Sequence, residues 1–185
     1  MKVIQASEIT KPKTNRFFLS MSSPQYQKFL QVLSQNEMVD LFITRHYSTD
    51  ALCIYDLLTL SKTPVRTFFL GNPELIDTVI LSGGTAGRYV LPNCVLSIRP
   101  LAPKHDFSKT DLFLEANVRS VCEKVSNTNR KLADILAKKT GKTLAEIQDR
   151  MNNNPYFTAE EAVEFGLIDG IVTDLSMILS EDNES

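Results

Sequence analysis

The chain has 185 residues, 43% hydrophobic and 23% charged, the proportions of one ordinary globular domain. A formal net charge of −2, with Lys and Arg spread along the chain, gives no basis for steering onto nucleic acid, and no apolar run approaches the roughly 20 residues that span a bilayer. Three cysteines, Cys53, Cys94 and Cys122, stand far apart among apolar neighbours, which argues against a disulfide framework or a zinc site.

No nucleic acid, membrane, metal or cofactor is therefore expected, and the cysteines read as buried thiols in a reducing compartment. The N-terminal MKVIQASEITKPKTNR lacks an apolar core before a small-residue cleavage site, so no secretory signal is read there.

In chain order, residues 16–21 (RFFLSM) read as a short strand. Within 24–35 (PQYQKFLQVLSQ), Tyr26, Phe29, Leu30 and Leu33 fall at i, i+3, i+4 and i+7, so an amphipathic helix is expected, with Ser23 as cap and Pro24 first. The run 39–44 (VDLFIT) has the pattern of a buried strand. Asp50 can cap a helix over 51–60 (ALCIYDLLTL), which is apolar on most sides and so expected between two layers. A further strand, 65–70 (VRTFFL), ends before Gly71.

Strand and helix alternating through short connections imply parallel strands in a right-handed α/β layering. The apolar segments 77–82 (DTVILS) and 94–99 (CVLSIR) read as two more strands, separated by turns at 82–88 (SGGTAGR) and at Leu91-Pro92-Asn93.

The C-terminal half is helical. Across 115–139, Val118, Val121, Cys122, Val125, Leu132, Ile135 and Leu136 keep a helical period for about seven turns, long for a globular helix, and Gly141 stops it. Capping boxes at Thr143/Glu146 and Thr158/Glu161 start short helices, the second ending at Gly166, and 167–172 (LIDGIV) reads as a last strand. The run Asn152-Asn153-Asn154-Pro155 reads as a turn, and the acidic tail 176–185 as a frayed end.

Residues 140–147 (TGKTLAEI), 156–172 (YFTAEEAVEFGLIDGIV) and 87–93 (GRYVLPN) resemble the Clp protease peptidase subunit, ClpP. The resemblance implies a single ClpP/crotonase-like α/β domain over 1–185, with a head (about 16–100 and 140–175) and a projecting handle helix (about 101–139). It also implies a heptameric ring with copies of itself or other ClpP-family subunits, and a Clp-family unfoldase ATPase as partner. The compartment it implies is cytoplasm, or plastid or apicoplast stroma for an imported or plastid-encoded chain.

In that family a serine, a histidine and an aspartate form a charge-oriented triad. The matching positions here carry Leu75 (or Glu74), Arg99 and Asn154, none of which can supply the corresponding chemistry. The family's glycine-bearing oxyanion loop is matched by 44–50 (TRHYSTD), which has no glycine. The expectation is therefore a pseudoenzyme of the ClpR type, acting in assembly or regulation of ATP-dependent degradation.

The docking positions of the family fall on Asp40, Phe42 and Tyr89, where an unpaired Asp40 carboxylate would weaken an apolar pocket. Ring contacts fall on Val118, Val121, Val125, Leu132, Ile135 and Asn153. Two other readings are an enzyme with its nucleophile relocated to Cys94 or Ser82, and a stand-alone binding module. His46 and His105 read as surface histidines.

Overall fold

The computed structural model describes residues 15–19, 26–35, 37–44, 51–103, 115–174, 176 and 178. Its elements are β1 (Asn15–Leu19), α1 (Tyr26–Leu33), β2 (Val39–Ile43), α2 (Ala51–Leu60), β3 (Val65–Phe69), α3 (Leu75–Leu81), β4 (Gly87–Val90), β5 (Val95–Ser97), α4 (Glu115–Thr140), α5 (Leu144–Asn153), β6 (Tyr156–Thr158), α6 (Ala159–Phe165) and β7 (Gly170–Ile171). Strands β1-β2-β3-β4-β7 form a parallel sheet in that order, and β5 with β6 forms a separate antiparallel pair. The layered, parallel-rich α/β architecture expected from the sequence is the one observed.

Every residue of β2 and β3 is buried, as expected of apolar strands covered on both faces. Val39, Leu41, Ile43, Val65 and Phe69 belong to one core with Leu33 of α1, Ile54 and Leu58 of α2, and Val79 and Ile80 of α3. The alternate residues form a second layer. Phe18, Phe42, Phe68 and Tyr89 stand in register on four adjacent strands, with successive ring centroids 4.9, 5.0 and 5.1 Å apart.

In the next row Asp40 lies opposite Arg66, and the guanidinium donates from Nε and Nη2 to the two carboxylate oxygens, each at 2.6 Å. Asp40 is only 2% exposed, so this bidentate pair supplies the hydrogen bonds that a buried carboxylate requires.

Several sequence expectations change. Residues 75–81 form a helix, α3, instead of the strand read over 77–82; Glu74 and Asp77 cap its start reciprocally and all its residues are buried. A short helix buried on every side, Asp77 and Thr78 included, shows no amphipathic period, and a short, mostly apolar run does not distinguish helix from strand.

The turn read over 82–88 gives way to strand β4 at Gly87, whose φ of 137° suits glycine and where a Cβ would lie 2.5 Å from the Tyr89 hydroxyl. Strand β5 leaves the main sheet to pair with β6, a strand that the sequence did not reveal. Nor is α2 sandwiched: Ile54 and Leu58 are buried, whereas Cys53 faces solvent and Leu60 is 82% exposed.

The caps match. Glu146 N–H donates to the Thr143 hydroxyl at 3.2 Å while its carboxylate accepts from Thr143 N–H at 2.8 Å. Thr158 and Glu161 repeat the exchange at 3.0 and 3.2 Å. Gly141 (φ 72°) follows α4 and Gly166 (φ 87°) caps α6, both in the left-handed conformation that glycine tolerates. The expected caps Ser23 and Asp50, with Pro24, His46 and His105, lie outside the described residues.

Helix α4 has 26 residues and runs about 39 Å. Of its described side chains only Leu132, Ala133 and Leu136 are buried, all in its second half. Asn129 fastens the helix to the segment after β5, accepting from Leu101 N–H at 2.8 Å and donating to Leu101 C=O at 3.0 Å.

The cysteine expectation is corrected for two of three: Cys94 is buried, but Cys53 and Cys122 are exposed. Burial pushes the Cys94 thiol up to about 11. A brief maleimide pulse at pH 8 is expected to modify Cys53 and Cys122 and leave Cys94 untouched until denaturant is added. Peptide mapping reads this, and equal early labelling of Cys94 contradicts the packing.

Replacing Asp40 with Ala strands the buried Arg66 charge and is expected to cost about 3–5 kcal/mol in urea unfolding. The double change Asp40→Leu with Arg66→Met should recover most of that loss. A single variant as stable as the parent would show that the pair is not buried as described.

Candidate functional site

The chain leaves β3, passes Gly71 with φ 142°, and turns through Asn72, Pro73 and Glu74 into α3. That turn closes one edge of β5. Val95 N–H donates to Asn72 Oδ1 at 2.9 Å, and Ser97 N–H donates to Pro73 C=O at 2.8 Å. The other edge pairs with β6, Leu96 standing opposite Phe157. Further on, Ile98 N–H donates to Pro155 C=O at 2.8 Å.

Between the turn, the end of β5 and the 99–102 segment lies a cavity of about 350 Å³, whose lining includes Asn72, Glu74, Leu75, Ser97, Arg99 and Tyr156. Arg150 braces its β6 side: the guanidinium donates to Tyr156 C=O at 3.1 Å and stacks 4.2 Å from the Phe157 ring centroid.

The cavity brings together two of the three positions matched to the triad. Leu75 opens α3, is 1% exposed and belongs to the core, so its side chain is both wall and core filler. Arg99, one residue beyond Ile98, is exposed and its N–H donates to Ser97 Oγ at 3.2 Å. Asn154 caps the C-terminal end of α5, is exposed, and is not among the lining residues. The glycine-free loop matched to the oxyanion site lies beyond residue 44, mostly outside the described residues.

Neither relocated-nucleophile candidate lines this cavity. Ser82 is buried at the end of α3, with its hydroxyl donating to Val79 C=O at 2.7 Å. Cys94 is buried, and its raised pKa leaves little thiolate near neutrality. Among the described residues no group of three or more His, Cys, Asp or Glu is arranged to hold a metal ion, and no helix is long and apolar enough to cross a membrane.

Asp40, Phe42 and Tyr89, the positions matched to the family's docking pocket, lie on β2 and β4 of one sheet, but the electrostatic expectation is corrected. The Asp40 carboxylate is not an unpaired charge, because Arg66 holds both its oxygens. Phe42 and Tyr89 are buried within the aromatic row, and burial is the first cause of a raised Tyr89 phenol pKa. Phe18, 61% exposed, is the member of that row a partner could touch. Sequence reasoning missed it, although its place one residue after Phe17, which packs on the opposite face against Phe29, marks the alternation.

Among the ring-contact positions, Val118, Val121 and Val125 are half-buried on the first half of α4, and Ile135 is half-buried against the core. Leu132 is corrected: it is fully buried in the chain's own core and has no surface to offer another subunit. Asn153 is exposed and donates to Asp149 Oδ1 at 2.7 Å. A larger groove of about 830 Å³ runs between α4 and α5, past Cys122, Val125, Asn129, Leu144 and Met151.

Residues 25–174 match the family model of the Clp protease. Over 126 residues the chain is 29% identical to the ATP-dependent Clp protease proteolytic subunit 2 of Corynebacterium efficiens. That match covers 68% of this chain and 60% of the relative, so the chain spans less than two thirds of the relative's length. Both descriptions are those of a protease, and they overturn the expectation of a pseudoenzyme. The match runs through Leu75, Arg99 and Asn154, and the identity of three side chains does not establish a loss of activity. The chain belongs to the Clp protease family.

Proposed function

We propose that the chain is a subunit of a Clp-type proteolytic ring, heptameric and built from copies of itself or with other subunits of the family, working in ATP-dependent protein degradation. Its contribution is to the wall and to the contacts that hold the ring.

The observation that carries this reading is helix α4. From Val118 to Lys131 the described residues fully bury no side chain, and Val118, Val121 and Val125 keep an apolar stripe that stays partly exposed. A helical stretch of about 14 residues standing alone is marginal in water, so an apolar stripe that the described residues leave partly exposed favours a second helix or ring as its cover. The aromatic row ending at exposed Phe18 supports a docking face for the unfoldase ATPase that the resemblance implies.

Native mass spectrometry of the full chain, alone and co-expressed with a second Clp protease subunit, tests the proposal. Masses are expected at multiples of about seven chains of 20.8 kDa. Changing Val121 and Val125 together to Asp should collapse those species to monomers, with the head's stability altered by no more than about 1 kcal/mol. A parent chain that stays monomeric at micromolar concentration, or a double variant that still assembles, overturns it.

A further inference from the structure

We propose that the cavity beside β5 binds the C-terminal carboxylate of a peptide whose last side chain is apolar. This names an occupant for the candidate site of a proteolytic subunit and rests on that reading only in that proteolysis releases such ends; binding itself requires no ring.

The first argument is the fate of the arginines. Arg66 and Arg88 are each held bidentately by a carboxylate, Asp40 and Asp169 respectively. Arg99, exposed on the cavity wall, has no side-chain partner among the described residues. Its guanidinium is a planar fork of donors that matches one carboxylate.

The second argument is what the cavity walls offer beside that cation. The Asn72 amide has its oxygen fixed by Val95 N–H, which directs its remaining donors elsewhere, and the Ser97 hydroxyl borders the same space. Leu75 and Leu101 supply an apolar floor, and Tyr156, 49% exposed, supplies an aromatic wall. At about 350 Å³ the space suits one or two terminal residues.

The third argument concerns how a peptide could be held. The Val95 and Ser97 N–H groups are consumed by the 72–73 turn, Thr78 donates to Ser97 C=O at 3.2 Å, and the other edge is taken by β6. A peptide therefore cannot extend the sheet along this part of β5. Recognition falls to the end group and the last side chain. Glu74, whose carboxylate lies in the reciprocal cap of α3 on the same wall, disfavours a second negative charge on the ligand.

The test is isothermal titration of the full chain with acetyl-Ala-Ala-Ala-Leu as free acid and as amide, and with acetyl-Ala-Glu-Ala-Leu amide, which presents a side-chain carboxylate only. The free acid is expected to bind at least about tenfold more tightly than either amide, and Arg99→Gln to remove that preference, with Arg99→Lys retaining part of it. Equal binding of acid and amide, no binding of the acid at millimolar concentration, or an unchanged preference in Arg99→Gln overturns the proposal. Preference for the internal glutamate overturns the terminal carboxylate as the recognised group. Native mass spectra of the same samples separate the two readings, since an intact ring without binding removes only this one.

Discussion

Strands β2 and β3 bury every one of their residues, so the chain must provide cover for both faces of its sheet. Helices α1, α2 and α3 serve one face through Leu33, Ile54, Leu58 and Val79. On the other face stand the aromatic row and the Asp40–Arg66 pair, one apolar and one charged, in adjacent rows of the same strands. A buried ion pair gains little over well-packed apolar residues, but it is costly to break. It therefore fixes which residues of β2 and β3 lie opposite each other, and with them the register that stacks Phe42 on Phe68.

The same demand for cover shapes the candidate site. Because α3 is packed on all sides, its first residue, Leu75, is held in the core, and the turn before it is drawn against β5. The cavity is the space left where that turn, the end of β5 and Tyr156 meet. Its chemistry is set by one cation, Arg99, amid apolar and neutral hydrogen-bonding groups, with Glu74 on its wall. Substitutions in the core of α3 should therefore be felt at the cavity.

Much of the fold was legible because local chemistry announced it. Thr143 and Thr158, each followed by glutamate at the third position, marked helix starts, and Gly141 and Gly166 marked ends, since each solves a backbone problem that any helix terminus poses. The strands β2 and β3 were legible as apolar runs of strand length. What stayed hidden depends on tertiary surroundings. Helix α3 is buried on every side, Asp77 and Thr78 included, and shows no period, Gly87 opens a strand from within a glycine-rich turn, and β6 is a short strand whose partner is distant in sequence.

Exposure was misjudged for Cys53, Cys122 and the outer side of α2, where apolar residues face outward. Of the site, the resemblance matched Leu75, Arg99 and Asn154 to one triad, whereas Leu75 and Arg99 line one cavity and Asn154 is not among its lining residues; nor did the sequence reveal Arg66 as the partner of Asp40. The step from three substituted positions to a chain without enzymatic identity went too far: residue types at matched positions report chemistry at those points, whereas family membership rests on the match across residues 25–174.

Helix α4 ties the fold to the proposed ring, because the described residues bury side chains of its second half and none of its first. The second half is anchored through Leu132, Ala133 and Leu136, and Asn129 clasps it to Leu101. Among the described residues the first half has no fully buried side chain. Hydrogen exchange of the α4 amides, followed from concentrated to dilute protein, tests this most directly. The account predicts slow exchange throughout α4 in the concentrated sample and, on dilution, rapid exchange of residues 115–131 while 132–140 remain protected. Equal protection of both halves at every concentration would contradict it.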